Sequence, residues 1–110
     1  QAVEETRQDI EASDITGPIL GHVGDGNFHA ILLIDDTSEA EKSQAQRISD
    51  RMAERALSMG GTCTGEHGVG MGKLKFMERE HGAAWDVMST IKRALDPNNI
   101  LNPGKVIKSN

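Results

Sequence analysis

The chain has 110 residues, about one small domain with a single modest hydrophobic core. Its 17 acids outnumber 12 bases for a net charge of -5, and no Lys/Arg block is present, so nucleic acid and anionic membrane surfaces are poor partners: the phosphate field would repel it. The longest apolar run, Ala30–Ile34, is far too short to span a bilayer. No signal peptide is expected, because no basic stretch leads into an apolar one. The lone Cys63 rules out an internal disulfide framework and fits a reducing compartment.

Residues 1–13 read as a helix, with Ala2, Val3, Thr6 and Ile10 on one face and charges elsewhere. It opens on Gln1, which suggests a piece of a longer protein. Ser13-Asp14 and Gly17-Pro18 break it. Ile19–Val23 and Phe28–Ile34 are β-branched and apolar, and read as two strands. Asp25-Gly26 between them signals a tight hairpin, since both turn positions need positive φ. Ser38-Glu39-Ala40-Glu41 is a capping box. The helix it opens runs to about Met59, with Ala45, Ile48, Met52, Ala56 and Met59 as one apolar stripe. Gly60-Gly61 stops it. Residues 61–72 lack periodicity and read as a loop. Helices follow over Lys73–His81 and Ala83–Leu95, the second with Trp85, Met88, Ile91 and Leu95 on one side. Asp96-Pro97 ends it. The tail is turn-rich, with a short strand at Lys105–Ile107. A lone two-stranded ribbon is not stable, so the expected architecture is α+β. Helices would pack on one face of an antiparallel sheet, in the ferredoxin-like arrangement of a cap domain.

Nine of the 12 glycines fall in two stretches: Gly21, Gly24 and Gly26, then Gly60, Gly61, Gly65, Gly68, Gly70 and Gly72. Three of the four histidines share those stretches. Glycine mixed with His, Asp, Glu and Asn reads as backbone shaped around a site. With Asp25-Gly26 as the two-residue turn, His22 pairs with His29. Their Cβ atoms would then lie ~4.5–5.5 Å apart, close enough to share one divalent metal. Glu66 would complete a set of two histidines and one carboxylate with open coordination positions, a catalytic pattern. His67 would face the substrate as general base. Taken singly, each histidine is better explained by packing or solvation than as a ligand; the joint pattern favours a metal.

Other residues have plainer readings. Asp25 is a turn former, His81 a surface residue, Cys63 a buried inert thiol. A phosphate loop at Gly65–Lys73 fails, because the Walker pattern needs glycine where His67 stands and Ser or Thr where Leu74 stands. The Gly68, Gly70, Gly72 spacing also misses the dinucleotide fingerprint. A stand-alone metal-dependent hydrolase and a non-catalytic metal-binding module remain the alternatives on residues alone.

Three segments together resemble the C-terminal part of the FAD-linked oxidase family: Gly21-His22-Val23-Gly24-Asp25-Gly26-Asn27-Phe28-His29, Gly61–Gly70 with its Gly65-Glu66-His67-Gly68 centre, and Leu95–Lys105 with Asn102-Pro103-Gly104-Lys105. The likeness is strongest to the cytochrome-type D-lactate dehydrogenase and glycolate oxidase D branches. It implies that residues 1–110 are a C-terminal fragment and that an N-terminal FAD-binding domain lies outside them. It implies zinc or manganese on His22, His29 and Glu66, His67 as base, and Asn102 near the flavin. The implied reaction is hydride transfer from a small 2-hydroxy acid to FAD, with a cytochrome or quinone-level acceptor. In the D-2-hydroxyglutarate branch an asparagine follows the second histidine by two residues. Ile31 stands there in this chain, which argues for a smaller or more apolar acid. The fragment alone is expected to be inactive, to hold FAD weakly and to self-associate through uncovered apolar surface. The acidic balance suggests a cytoplasmic setting, with peripheral membrane attachment through residues outside this stretch as the alternative.

Overall fold

A computed structural model describes residues 1–107. The chain divides after Met59 into two units, each with its own helical pair.

In the first unit, helix α1 (Ala2–Glu11) is followed by strands β1 (Ile19–Leu20) and β2 (His29–Ala30) and by helix α2 (Glu39–Ser58). The amphipathic reading of α1 holds: Ile10 and Thr6 are buried. Ile10, Ile15 and Ile48 form the core, and Ile19, Ala30, Leu32 and Ala45 pack against it. Both helices thus cover one face of the antiparallel hairpin, the α+β arrangement the sequence suggests. The other hairpin face carries Leu20, Ile31 and Leu33, all exposed.

Ser38 caps α2, its hydroxyl accepting from the Glu41 N–H at 3.3 Å. The reciprocal half of the capping box is altered. Glu41 reaches past Ser38 and accepts from the Asp35 N–H at 2.7 Å. An ionic clamp joins α1 to α2. Arg55 donates to Asp9 at 2.8 Å and to the Thr6 hydroxyl at 3.0 Å, and pairs with Glu5 at 2.6 Å. Arg51 pairs with the other Asp9 oxygen at 2.9 Å. Thr6, fully buried, gives its own proton to the Ala2 carbonyl at 2.8 Å.

The strands are shorter than predicted and their register differs. Leu20, not His22, opposes His29, and Ile19 opposes Ala30. Pairing continues only as an isolated bridge between Thr16 and Leu33. The connection is a 3-10 turn over Val23–Asp25, closed on the His22 carbonyl by the N–H groups of Asp25 at 2.9 Å and Asn27 at 3.2 Å. Those bonds consume the groups that a tight hairpin would need for pairing. Gly21 enforces the bend. It sits at φ 149, and a Cβ there would lie 2.6 Å from the Phe28 Cα.

The second unit holds helices α3 (Leu74–His81) and α4 (Ala83–Leu95), with Phe76, Met77 and Trp85 buried. The predicted α4 stripe is half right. Trp85 and Ser89 face inward, but Ile91 and Leu95 are exposed together with Val87. Ile91 lies six residues past Trp85, ~120° round the helix, so it joins the outward Val87–Ile91–Leu95 row.

The tail forms no strand at Lys105–Ile107. Val106 takes φ 67, outside the strand region. Its N–H donates to the Gly70 carbonyl at 2.9 Å, and its carbonyl accepts from the Trp85 indole at 2.8 Å. Asp96 organises the turn before it. Its carboxylate accepts from the Ile100 N–H at 3.0 Å and the Leu101 N–H at 2.9 Å, and Lys92 completes an ion pair with it.

Candidate functional site

The residues singled out from sequence lie on two structures, the hairpin turn of the first unit and the glycine-framed loop of the second. On the hairpin, His22 is the exposed residue that opens the 3-10 turn, with φ -91 and ψ 67. His29 begins β2 and is half-buried. They share one turn without facing each other across a ladder pair. Asp25 acts as the turn former, inside the 3-10 segment, and Gly26 closes it at φ 73. Ile31, two residues past His29, is exposed.

On the second unit the loop from Gly61 to Gly72 is irregular, as its missing periodicity predicts. Gly68 and Gly70 take φ 81 and φ 55, conformations that side chains rarely adopt. Glu66 and His67 stand between these glycines and Gly65. Their side chains come together, with His67 Nε2 3.7 Å from Glu66 Oε1, and both are largely exposed. Sequence neighbours normally point apart; here the bent backbone puts imidazole and carboxylate side by side.

The stem of this loop is fixed by Glu80, a residue the sequence reading passes over. Glu80 lies near the end of α3 with its side chain 13% exposed. Its Oε2 accepts from the Cys63 N–H at 3.1 Å. Burial pushes its carboxyl up, but hydrogen bonds from the Thr62 hydroxyl and from Cys63 outweigh that and hold it below the ordinary carboxylate value. The available signal was position: Glu80 ends a helix that follows the loop directly.

Cys63 is buried, as predicted. Burial and the neighbouring Glu80 carboxylate push its thiol up to about 11, so the free thiol stays protonated and unreactive at neutral pH. His81 is partly exposed beside Glu80. Asn102 is exposed in the tail turn at φ 45, downstream of the Asp96 cap.

Imidazole nitrogens and one carboxylate form a borderline donor set suited to zinc or manganese. His22, His29 and Glu66 are each donors of that type. His67 lies beside Glu66 on the same loop.

Comparison with known proteins adds the family. Residues 1–106 match the model for FAD linked oxidases, C-terminal domain. The chain belongs to that family. It is 48% identical over 109 residues to the zebrafish (Danio rerio) protein named "Probable D-lactate dehydrogenase, mitochondrial", covering 98% of this chain and 22% of that protein. It is 45% identical over 108 residues to the Arabidopsis thaliana "D-lactate dehydrogenase [cytochrome], mitochondrial", covering 97% and 19%. It is 41% identical over 102 residues to the Bacillus subtilis "Glycolate oxidase subunit GlcD", covering 89% and 21%. The chain therefore spans only 19–22% of the length of these curated relatives. No helix among the described residues is long and apolar enough to cross a membrane.

Proposed function

We propose that this chain is the C-terminal, metal-and-base portion of a flavin-dependent D-2-hydroxy-acid dehydrogenase of the D-lactate type. The observation that carries the reading is the exposed Glu66–His67 pair, 3.7 Å apart on a glycine-framed loop. Family membership and the names of the relatives support the flavin and the D-lactate-like substrate.

His22, His29 and Glu66 would hold one divalent ion, zinc or manganese. Bound there, such an ion supplies Lewis acidity toward substrate oxygens, and FAD, carried by a domain outside these residues, supplies the hydride acceptor. His67 takes the hydroxyl proton of the substrate at Nε2, the nitrogen that faces Glu66. Ile31 offers no hydrogen bond to a second carboxylate, which suits a small monocarboxylic acid. Asn102 is the residue of the tail assigned to the flavin.

A cytochrome or quinone-level acceptor takes the electrons onward; three relatives carry "cytochrome" in their names. The single buried Cys63 fits a reducing interior, cytoplasmic or, as four relatives are named, mitochondrial. By itself the 110-residue piece is inactive.

Elemental analysis of the longer flavin-bearing polypeptide tests the metal assignment without relying on turnover. About one divalent ion per chain is expected, lost in a His22→Ala, His29→Ala double variant and in Glu66→Gln. Metal-free wild-type protein, or variants that keep the ion, would overturn it.

A further inference from the structure

An irregular loop that presents reactive groups has to be held by something other than its own backbone ladder. Downstream of His67 the loop is tied by the Val106 N–H on the Gly70 carbonyl at 2.9 Å and by the Lys73 N–H on the Val69 carbonyl at 3.3 Å. Upstream, one carboxylate does the holding. Glu80 accepts from the Cys63 N–H and from the Thr62 hydroxyl. Thr62 passes the constraint along the chain, its Oγ1 accepting from the Thr64 N–H at 3.2 Å. Three successive residues, ending two short of Glu66, are thus pinned to α3 through a single side chain.

The Thr64 hydroxyl is buried and has no hydrogen-bond partner among the described residues. An unpaired buried hydroxyl opposes the conformation that buries it. The conformation at 62–64 is therefore imposed from the Glu80 side rather than chosen by Thr64. Releasing Glu80 would let Thr64 rotate its hydroxyl to solvent and carry the following residues with it.

We propose that Glu80 is the positioning residue of the catalytic loop, setting the placement of Glu66 and His67 through Thr62, Cys63 and Thr64. This rests on the assignment of Glu66 as metal ligand and His67 as base. Outer-shell groups of this kind typically matter ~10–100-fold in metal affinity or activity.

The test compares Glu80→Ala, Glu80→Gln, Thr62→Val and Glu78→Ala in the longer flavin-bearing polypeptide, with His67→Ala alongside. Glu78 is an exposed residue of the same helix. Steady-state kcat and KM for D-lactate are normalised to bound flavin, and affinity for Zn²⁺ is measured by titration. Glu80→Ala should lower kcat by ~10–100-fold and weaken Zn²⁺ binding ~10-fold, with KM nearly unchanged. Glu80→Gln, which keeps an acceptor oxygen, should recover most of both. Thr62→Val should fall between, and Glu78→Ala should match the parent.

An inactive His67→Ala beside a Glu80→Ala with undiminished kcat overturns the positioning role and leaves the base assignment standing. An active His67→Ala overturns both. If Glu80→Ala does not fold, Thr62→Val decides: parental kcat and Zn²⁺ affinity in that variant reject the proposal.

Discussion

Asp96 shows how much one side chain can organise. From sequence, Asp96-Pro97 marks only a helix end, and the structure confirms that end. What the dipeptide does not reveal is that the carboxylate also gathers two backbone N–H groups and Lys92. An Asp followed by Pro-Asn-Asn carries the signal for such a local cap, but its partners depend on how the tail turns back. The Lys92 ammonium, aided by the Ile100 and Leu101 N–H groups, lowers the carboxyl to about 2 from its ordinary 3.8. The pKa is lower in the folded than in the unfolded state. Its contribution to stability is therefore fully present above pH ~4 and is lost as the pH falls toward ~2. Asp96→Asn should flatten the stability profile across that window and lower stability at neutral pH, read from denaturant melts at several pH values. A variant with an unchanged acid limb would refute the assignment. Cys63 was legible from sequence because a lone thiol in a small chain is most often buried. With its thiol at about 11, alkylation by iodoacetamide at pH 8 should be slower than for a free thiol by at least ~100-fold, and unfolding should restore the rate.

At the scale of elements, the helices were legible and the hairpin was not. Helix ends are written in local chemistry: Ser38, Gly60, Gly82 and Asp96 all stand where expected. Strand register is not local. Asp25-Gly26 suits a two-residue turn, yet the His22 carbonyl captures Asp25 and Asn27 instead, and pairing resumes at Leu20 and His29. The shift is by two positions, so each residue keeps its face while its opposite neighbour changes. The ionic clamp between α1 and α2 was readable in spacing, since Glu5 and Asp9 are four apart on one helix and Arg51 and Arg55 four apart on the other. Pairing the two sets requires knowing that the helices are neighbours. Arg55 and Asp9 side chains are 11% and 10% exposed, so this is not an ordinary surface bridge. Arg55→Ala would strand Asp9 and leave Thr6 short of a donor. It should destabilise the first unit by about 3 kcal/mol, measured by urea unfolding. A loss no larger than that of Arg47→Ala, an exposed residue of α2, would show the clamp to be unimportant.

At the scale of the whole molecule, the functional signal was concentrated in two glycine-rich stretches, and the family match over residues 1–106 agrees with the resemblance they suggested. The division into two units was not legible, because no Pro/Ser-rich linker marks Met59–Gly60. Nor was the outward row on α4, where Val87, Ile91 and Leu95 are exposed; a single apolar stripe was read where two faces are apolar. Exposed apolar rows of this kind promote association. The 110-residue chain alone should therefore self-associate, and Ile91→Glu should shift it toward monomer in sedimentation velocity. An unchanged distribution would place the contact elsewhere, or show that there is none.

The most direct measurement on the central claim is anaerobic stopped-flow reduction of the flavin by D-lactate in the longer polypeptide, wild type against His67→Ala. A general base contributes ~10²–10⁴-fold. His67→Ala should lose that much in the flavin-bleaching rate, with flavin content unchanged. Bleaching in His67→Ala within a few-fold of wild type would contradict it and remove the Glu66–His67 loop from the chemistry.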